Sequence, residues 1–197
     1  MSAFTLTAAP ATDIWRKPPH TNIFNAPNST PSTGPLPSFI SAKATFSFPW
    51  TEQYDQAGLL LTFHSSSSSS PTSSSSSSPP EKWIKTGIEY YNKTPMLSTV
   101  SCDRWADWSV TPLPPSSSSW TTISIEKAGD EHGASLWVYL VDNDTNQKIP
   151  LREICWVYGD EDPSRWTLQV SAMAARPEKN TSESLRVEVK DLEVKWA

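Results

Sequence analysis

The feature that most constrains the fold of this chain is the alternation of apolar and polar residues between positions 82 and 110. Read with period two, Ile84, Thr86 and Ile88 fall on one face of a strand. The opposite face carries polar and aromatic side chains and one glycine, namely Trp83, Lys85, Gly87, Glu89 and Tyr91. The Asn-Lys-Thr-Pro cluster at 92–95 is typical of a four-residue turn, and a β-rich run follows at 96–102. The stretch therefore predicts an antiparallel hairpin with one apolar and one polar face.

The same period recurs along the chain. In the run 39–50 it predicts a core-facing side made of Ile40, Ala42, Ala44, Phe46 and Phe48. In the run 54–64 it predicts a core-facing side that starts at Asp55 and continues with Ala57, Leu59, Leu61 and Phe63. Further strands are predicted at 4–8, 12–17, 107–113, 121–127, 136–141, 152–158, 165–175 and 185–196. No window as long as an ordinary helix has a 3.6-residue period, so the sequence predicts an all-β fold, a two-sheet antiparallel β-sandwich.

The chain of 197 residues suits a single domain spanning residues 1–197, with two irregular segments. Two runs of six serines dominate residues 65–80. Such a tract cannot bury enough apolar surface to offset the entropy of ordering it, so we expect a disordered insertion. Residues 18–38 contain six prolines. Because proline cannot donate to a sheet ladder, this segment predicts a long Pro-rich surface loop.

Composition narrows the classes of partner. The net charge of -5 and the lack of a Lys/Arg run argue against nucleic acid and anionic membrane surfaces. The first residues have neither the basic nor the apolar region of a signal peptide, so we expect a cytoplasmic protein. Cys102 and Cys155 lie inside predicted strands among apolar neighbours, which favours buried free thiols in a reducing compartment over a disulfide.

Metal and cofactor chemistry have little support in the sequence. His20, His64 and His132 are scattered and have no cysteine or carboxylate at zinc-binding spacing. Residues 142–146 formally resemble the start of a calcium loop, but Gln147 stands where that loop requires glycine. A plain hairpin turn is expected there. We therefore predict no metal site and no cofactor.

Several segments resemble the DUF1349 family, whose members are also called regulation-of-enolase-protein-like and belong to the concanavalin A-like lectin/glucanase superfamily. The segments are TDIWRK (12–17), YDQAGLLL (54–61), WIKTGIEY (83–90), LSTVSCDRWADWSV (97–110), LREI (151–154) and SAMAARPE (171–178). Their order and spacing match across almost the whole chain. The resemblance implies a jelly-roll sandwich with a concave sheet, and the family has no agreed biochemical activity. The chain departs from the family in its serine insertions, in the Pro-rich segment after Arg16, and in Arg176, where a small residue is usual.

A candidate site follows from the polar face of the 54–64 and 83–91 strands. The ten tryptophans indicate either a heavily aromatic core or platforms for ring-shaped ligands. The predicted ligand-binding residues are Trp15, Tyr54, Gln56, Trp83, Lys85, Glu89, Asp107 and Trp108. Gly87 has no side chain and would leave a dent in the sheet floor, which a ligand or another backbone can approach. The alternative is that Gly87 only makes room for a large neighbour.

These residues support three hypotheses. The favoured one is a non-catalytic domain that binds a carbohydrate or another polar small molecule on the concave sheet. The second, implied by the family name, is a regulatory domain that docks on a metabolic enzyme. The third is a glycoside hydrolase with Glu89 and either Asp55 or Asp107 as its paired carboxyls. The chain lacks the Glu-x-Asp-x-x-Glu strand of glucanases of this type, so the glycoside hydrolase is the least favoured of the three hypotheses.

Overall fold

A computed structural model describes residues 3–65, 79–115 and 118–197 and contains two six-stranded sheets. The named strands pair in antiparallel fashion throughout, which confirms the predicted two-sheet antiparallel sandwich. In the described ranges the helical segments are short 3-10 turns at Leu36–Ser38, Cys155–Tyr158 and Pro163–Arg165. None of them is long and apolar enough to cross a membrane.

The first sheet contains both ends of the described chain. Its strands are β1 Ala3–Ala8, β5 Phe39–Ser47, β10 Thr121–Asp130, β11 Gly133–Val141, β12 Lys148–Ile154 and β14 Leu185–Trp196. They are arranged in the order β1-β14-β5-β10-β11-β12. In β14 the register shifts between Lys190 and Glu193, and Asp191 has a φ of 57°. The strand predicted at 185–196 therefore contains a local irregularity, across which its alternation changes phase.

The second sheet contains the two strands that carry most of the candidate site. Its strands are β4 Ser32–Pro35, β6 Gln56–Ser65, β7 Lys82–Tyr91, β8 Thr94–Cys102, β9 Ala106–Pro112 and β13 Trp166–Ala175. They are arranged in the order β4-β13-β6-β7-β8-β9. Two short strands, β2 Ile14–Lys17 and β3 Thr21–Phe24, form a separate hairpin.

The main core lies between the two sheets. Leu59, Leu61, Ile84 and Ile88 from β6 and β7 belong to it and face Phe46 and other apolar residues of the first sheet. The parity predicted for β6 and β7 is therefore correct. Residues of opposite parity lie on the outer face, which we define as the face of the second sheet turned away from the first.

A second apolar cluster covers part of the outer face. It consists of Ile14, Ala26, Leu60, Trp83, Val100, Cys102, Met173 and Ala175. Ile14 comes from β2, and Ala26 follows β3, whereas the other members come from strands of the second sheet. The β2–β3 hairpin is thus held against the outer face by burial of apolar surface.

The prediction of a long loop at residues 18–38 is wrong. This segment contains β3, β4 and the 3-10 turn Leu36–Ser38. Thr21–Phe24 pairs residue by residue with Ile14–Lys17, so the prolines at 18 and 19 lie in a hairpin turn. β4 lies at the edge of the second sheet, where a strand tolerates proline because one side of its ladder is unpaired.

The predicted four-residue turn at 92–95 is shorter in the structure. Tyr91 pairs with Thr94, which leaves a two-residue connection. Asn92 and Lys93 have φ values of 50° and 61°. Positive φ at both positions is the pattern of a type I′ turn, whose twist matches that of the flanking strands.

Two side-chain placements and one strand also differ from prediction. Ile40 is 45% exposed and Phe39 occupies the core position instead, next to a register shift between Lys195 and Trp196. The strand predicted at 152–158 ends at Ile154, and Cys155 begins a 3-10 turn. Cys102 is a buried free thiol as predicted, whereas Cys155 is exposed.

Of the predicted insertion 65–80, Ser65 is the last residue of β6, and residues 66–78 lie outside the described ranges.

Candidate functional site

A cleft of about 410 Å³ lies between the β2–β3 hairpin and the outer face. The residues that line it are Asp13, Trp15, Lys17, Tyr54, Gln56, Lys85, Glu89 and Trp108. All of them except Asp13 and Lys17 are predicted site residues. Gln56, Lys85 and Glu89 converge because Gln56 pairs with Glu89 across β6 and β7, and Lys85 has the same parity.

Lys85 lies on the floor of the cleft and is only 5% exposed. Its ammonium donates to Gln56 Oε1 at 2.7 Å and to Asp13 Oδ1 at 3.3 Å. The Nζ atom is also 5.8 Å from the centre of the Trp15 ring, within the range of a cation–π contact. These contacts offset the desolvation of a buried ammonium and leave one of its three hydrogens without a partner among the described residues.

Glu89 is the second buried charge of the cleft. Its Oε2 accepts from Ser98 Oγ at 2.6 Å and from Trp108 Nε1 at 3.0 Å. Its Oε1 accepts from none of the described residues. Burial raises the pKa of Glu89 above its ordinary value, while Lys85 and the hydrogen bonds from Ser98 and Trp108 oppose that rise.

Four aromatic rings form a continuous group at the cleft. Trp15, Tyr54 and Tyr91 pack around Trp108, with centroid distances of 6.5, 6.5 and 5.0 Å to its ring. Trp108 therefore has two functions in this group, because its ring joins the others and its indole nitrogen fixes Glu89. Trp15 is carried by β2, so the hairpin supplies one aromatic side of the cleft.

Asp55 does not reach the cleft. It is fully buried, and its two carboxylate oxygens accept from Arg176 Nε at 2.8 Å and Arg176 Nη2 at 2.7 Å. Arg176 also donates to Thr51 Oγ1 and to the carbonyl of Glu183. Arg176 therefore has a structural role here, and Asp55 is not available as the carboxyl partner of Glu89.

Two predicted site residues do not line the cleft. Trp83 is 1% exposed because the second apolar cluster covers it. Asp107 pairs with Arg152 of β12 at 2.5 Å, so its carboxylate points to the edge where the sheets meet. Parity correctly placed Trp83 on the outer face but could not reveal that the hairpin covers it.

Gly87 allows two strands to approach closely, and it does not open a dent for a ligand. A Cβ built on Gly87 would lie 2.0 Å from the carbonyl oxygen of Ala57. A Cβ built on Gly58, its partner on β6, would lie 2.1 Å from the carbonyl oxygen of Thr86. The alternative, that Gly87 makes room for a large neighbouring side chain, does not hold either, because the nearest atoms at Gly87 are backbone atoms of Ala57 and Gly58.

Asp13 and Lys17 are the cleft residues that sequence reasoning missed. Asp13 accepts from the backbone N–H of Ile14 at 2.7 Å and from Lys85, so it joins the hairpin to the floor. The hairpin could have been recognised in the sequence from residues 14–24, in which two β-rich tetrapeptides flank a Pro-Pro-His turn. The high proline content of the following residues obscured this hairpin.

The cleft is suited to hydrogen bonding with a ligand that both donates and accepts. Lys85 retains one donor, and Glu89 Oε1 and Asp13 Oδ2 are acceptors without partners among the described residues. Within those residues no cluster of His, Cys, Asp or Glu side chains is suited to a metal ion.

Comparisons with known proteins identify the family and the fold. A protein of Emericella nidulans that is itself described as uncharacterized is 41% identical over 175 residues, which cover 88% of this chain and 77% of that protein. The crystal structure of a functionally unknown protein from Saccharomyces cerevisiae matches with a TM-score of 0.66 and 18% identity, over 99% of this chain and 88% of that one. A GH43 protein from Bacillus licheniformis matches with a TM-score of 0.50 and 9% identity, over 81% of this chain and 28% of that one.

Residues 1–196 match the family described as "Protein of unknown function (DUF1349)", and the chain belongs to that family. The structural likenesses, both below 25% identity, show the fold alone. That fold is the β-sandwich of the concanavalin A-like lectin/glucanase type, as the resemblance implied.

Proposed function

We propose that this protein is a non-catalytic domain that binds a carbohydrate in the cleft between the β2–β3 hairpin and the outer face. The observation that carries the proposal is the combination, within about 410 Å³, of aromatic rings with buried charged groups that retain hydrogen-bonding capacity. This volume lies within the usual range for small-molecule sites.

A hydroxyl-rich ring matches both components of the cleft. The C–H faces of a sugar ring are apolar and can pack on Trp108 or Trp15. Each hydroxyl can donate to Glu89 Oε1 and accept from Lys85 Nζ. Because these partners are charged and fixed by protein contacts, each such bond is worth about 1.5–3 kcal/mol.

A catalytic role has less support. Of the carboxyl pairs considered for a glycosidase, Asp55 is bound by Arg176 and Asp107 by Arg152. Glu89 Oε2 is held by two donors, Ser98 and Trp108. The other acidic residue that lines the cleft, Asp13, is paired with Lys85. These contacts suit a rigid recognition site, so we propose binding without hydrolysis.

The proposal is tested by probing a glycan array with the purified protein and measuring its best neutral glycan by calorimetry. We expect a binding glycan whose affinity falls at least about tenfold in Trp108→Ala, because stacking and the orientation of Glu89 are both lost. Trp137→Ala is the matched control. Trp137 lies on β11 of the first sheet, away from the cleft, and its substitution should leave affinity unchanged.

The carbohydrate proposal is abandoned if no glycan binds, or if the two tryptophan variants weaken binding equally. We also expect no release of reducing sugar from the bound glycan. Release that disappears in Glu89→Gln would favour the glycoside hydrolase reading instead.

A metabolic enzyme in the cytoplasm is the second candidate partner. Trp50 and Ile149 are 38% and 42% exposed, and both border a groove of about 510 Å³ that shares no lining residue with the cleft. Exposed aromatic and aliphatic residues at a groove are a common anchor for protein partners. Retention of a metabolic enzyme from cytosolic extract by the wild type, and its loss in a Trp50→Ala variant, would support this candidate.

A further inference from the structure

We infer that the cleft selects uncharged sugars and rejects sugars that carry a carboxylate or an ammonium group. This inference rests on the proposed function and specifies the ligand class of the same site. It follows from the number, sign and pairing of the charges that line the cleft.

The charged residues of the cleft balance. Asp13 and Glu89 are acidic, and Lys17 and Lys85 are basic. The neighbouring Asp55 and Arg176 form a closed ion pair of their own and add no net charge. A ligand therefore enters a site that has no net charge to neutralise.

Among the described residues, the floor of the cleft offers a ligand carboxylate no unpaired cation. The ammonium of Lys85 is already bound to Asp13 and Gln56. A second carboxylate near Lys85 would either displace Asp13 or lie beside Asp13 and Glu89 with like charge. Lys17 is exposed, so any pairing with it is screened by water and salt.

An ammonium on the ligand meets the converse problem. It would compete with Lys85 for Asp13, and its charge would be held close to that of Lys85 on a buried floor. One face of the Trp15 ring is already within cation–π range of Lys85 Nζ, which leaves only the other face for a ligand. A neutral hydroxyl uses the remaining hydrogen of Lys85 and the free oxygen of Glu89 without displacing either contact.

The test uses three matched series of sugars based on glucose, galactose and mannose. In each series the C6 group is the hydroxymethyl, the carboxylate of the uronate, or the ammonium of the 6-amino-6-deoxy sugar. Binding is followed at neutral pH by the tryptophan fluorescence of the whole protein. We expect the neutral member of the best-binding series to bind at least about tenfold more tightly than both charged members, a difference of about 1.4 kcal/mol.

Glu89→Gln sharpens this test. The amide oxygen can still accept from Ser98 and Trp108, so the site keeps its shape while it loses one negative charge. We expect the affinity ratio of uronate to neutral sugar to rise at least about tenfold relative to wild type, because like-charge repulsion is removed and the acceptor for a neutral hydroxyl is lost. Far-UV circular dichroism and the melting temperature verify that the variant is folded.

The outcomes separate the two proposals. Failure of every member of all three series to bind would count against the carbohydrate proposal itself. A uronate or amino sugar that binds wild type as tightly as its neutral counterpart would overturn the charge inference alone. An unchanged uronate ratio in folded Glu89→Gln would also overturn it.

Discussion

Asp55 and Gln56 are neighbours in the sequence, but they belong to two polar clusters with different properties. The Arg176 cluster consists of Asp55, Arg176 and Thr51, and the Lys85 cluster consists of Gln56, Lys85, Asp13 and Glu89. Both bury charge, since Asp55 and Arg176 are 0% and 3% exposed and Lys85 and Glu89 are 5% and 6% exposed. In the Arg176 cluster both oxygens of the Asp55 carboxylate accept from Arg176, whereas Glu89 Oε1 in the Lys85 cluster has no donor among the residues that the structure describes.

This difference separates a structural role from a binding role. A buried ion pair whose hydrogen-bonding positions are all filled by the protein holds its surroundings rigidly. Removal of one of the two ions leaves the other charge buried and unpaired, which is strongly destabilising. An open cluster lowers stability because its free groups are only partly hydrated, but it can exchange that hydration for ligand contacts. The extent of burial is therefore similar in the two clusters, and what distinguishes them is the unfilled hydrogen-bonding positions of the Lys85 cluster.

The largest effect is expected from Arg176→Ala. The substitution leaves Asp55 buried without its cation, which should lower the free energy of unfolding by about 3–5 kcal/mol in urea denaturation. Arg165→Ala is the matched control, because Arg165 is half exposed and its pair with Asp160 is long at 3.6 Å. The control should change stability by less than about 1 kcal/mol. Equal losses in the two variants would contradict a structural role for the Arg176 cluster.

Gly87→Ala should have the next largest effect, although Gly87 lies between the two charged residues of the floor. The new Cβ would meet the Ala57 carbonyl at 2.0 Å, so β6 and β7 must separate. We expect a loss of about 1–3 kcal/mol or more in chemical denaturation. In the control Gly129→Ala, the nearest atom of the described residues lies 3.6 Å from the new Cβ, so this variant should be close to neutral. A stable Gly87→Ala variant with impaired glycan binding would instead restore Gly87 to the binding site.

Trp108→Phe should have a smaller effect on stability. Phenylalanine keeps an aromatic ring against Trp15 and Tyr91 but removes the donor to Glu89, which still accepts from Ser98. We expect a loss of about 1 kcal/mol in stability and a clear loss of glycan affinity, because Glu89 is no longer fixed. If affinity is retained, the indole N–H does not orient the carboxylate.

Glu89→Gln should slightly raise stability near neutral pH. The folded-state pKa of Glu89 lies above its ordinary value of 4.5 because burial disfavours the charge. The folded state therefore binds the proton more readily than the unfolded state, and wild-type stability falls as pH rises from about 4.5 through the folded pKa. The stability gain of the variant should accordingly grow over that pH window in thermal melts. A gain that shrinks with rising pH would contradict the burial effect.

The sequence predicted the parts of the site that depend on strand periodicity. Alternation along β6 and β7 correctly assigned Leu59 and Ile88 to the core and Lys85 and Glu89 to the outer face, because period two is a property of the backbone itself. It could not identify Asp13 as a contact of Lys85, since 72 residues separate them and their meeting depends on tertiary packing of the hairpin. For the same reason Trp83 could not be distinguished from Trp108, because both have outer-face parity and only the hairpin decides which one is covered.

Indole N–H resonances test most directly whether a neutral carbohydrate occupies the cleft. The protein has ten tryptophans, whose signals can be assigned by single substitution to phenylalanine. On titration with the tightest neutral glycan from the array, we expect the Trp15 and Trp108 signals to shift together. Trp120 and Trp137, which do not line the cleft, should keep their positions. Shifts confined to Trp120 or Trp137, with Trp15 and Trp108 unchanged at saturation, would contradict the account.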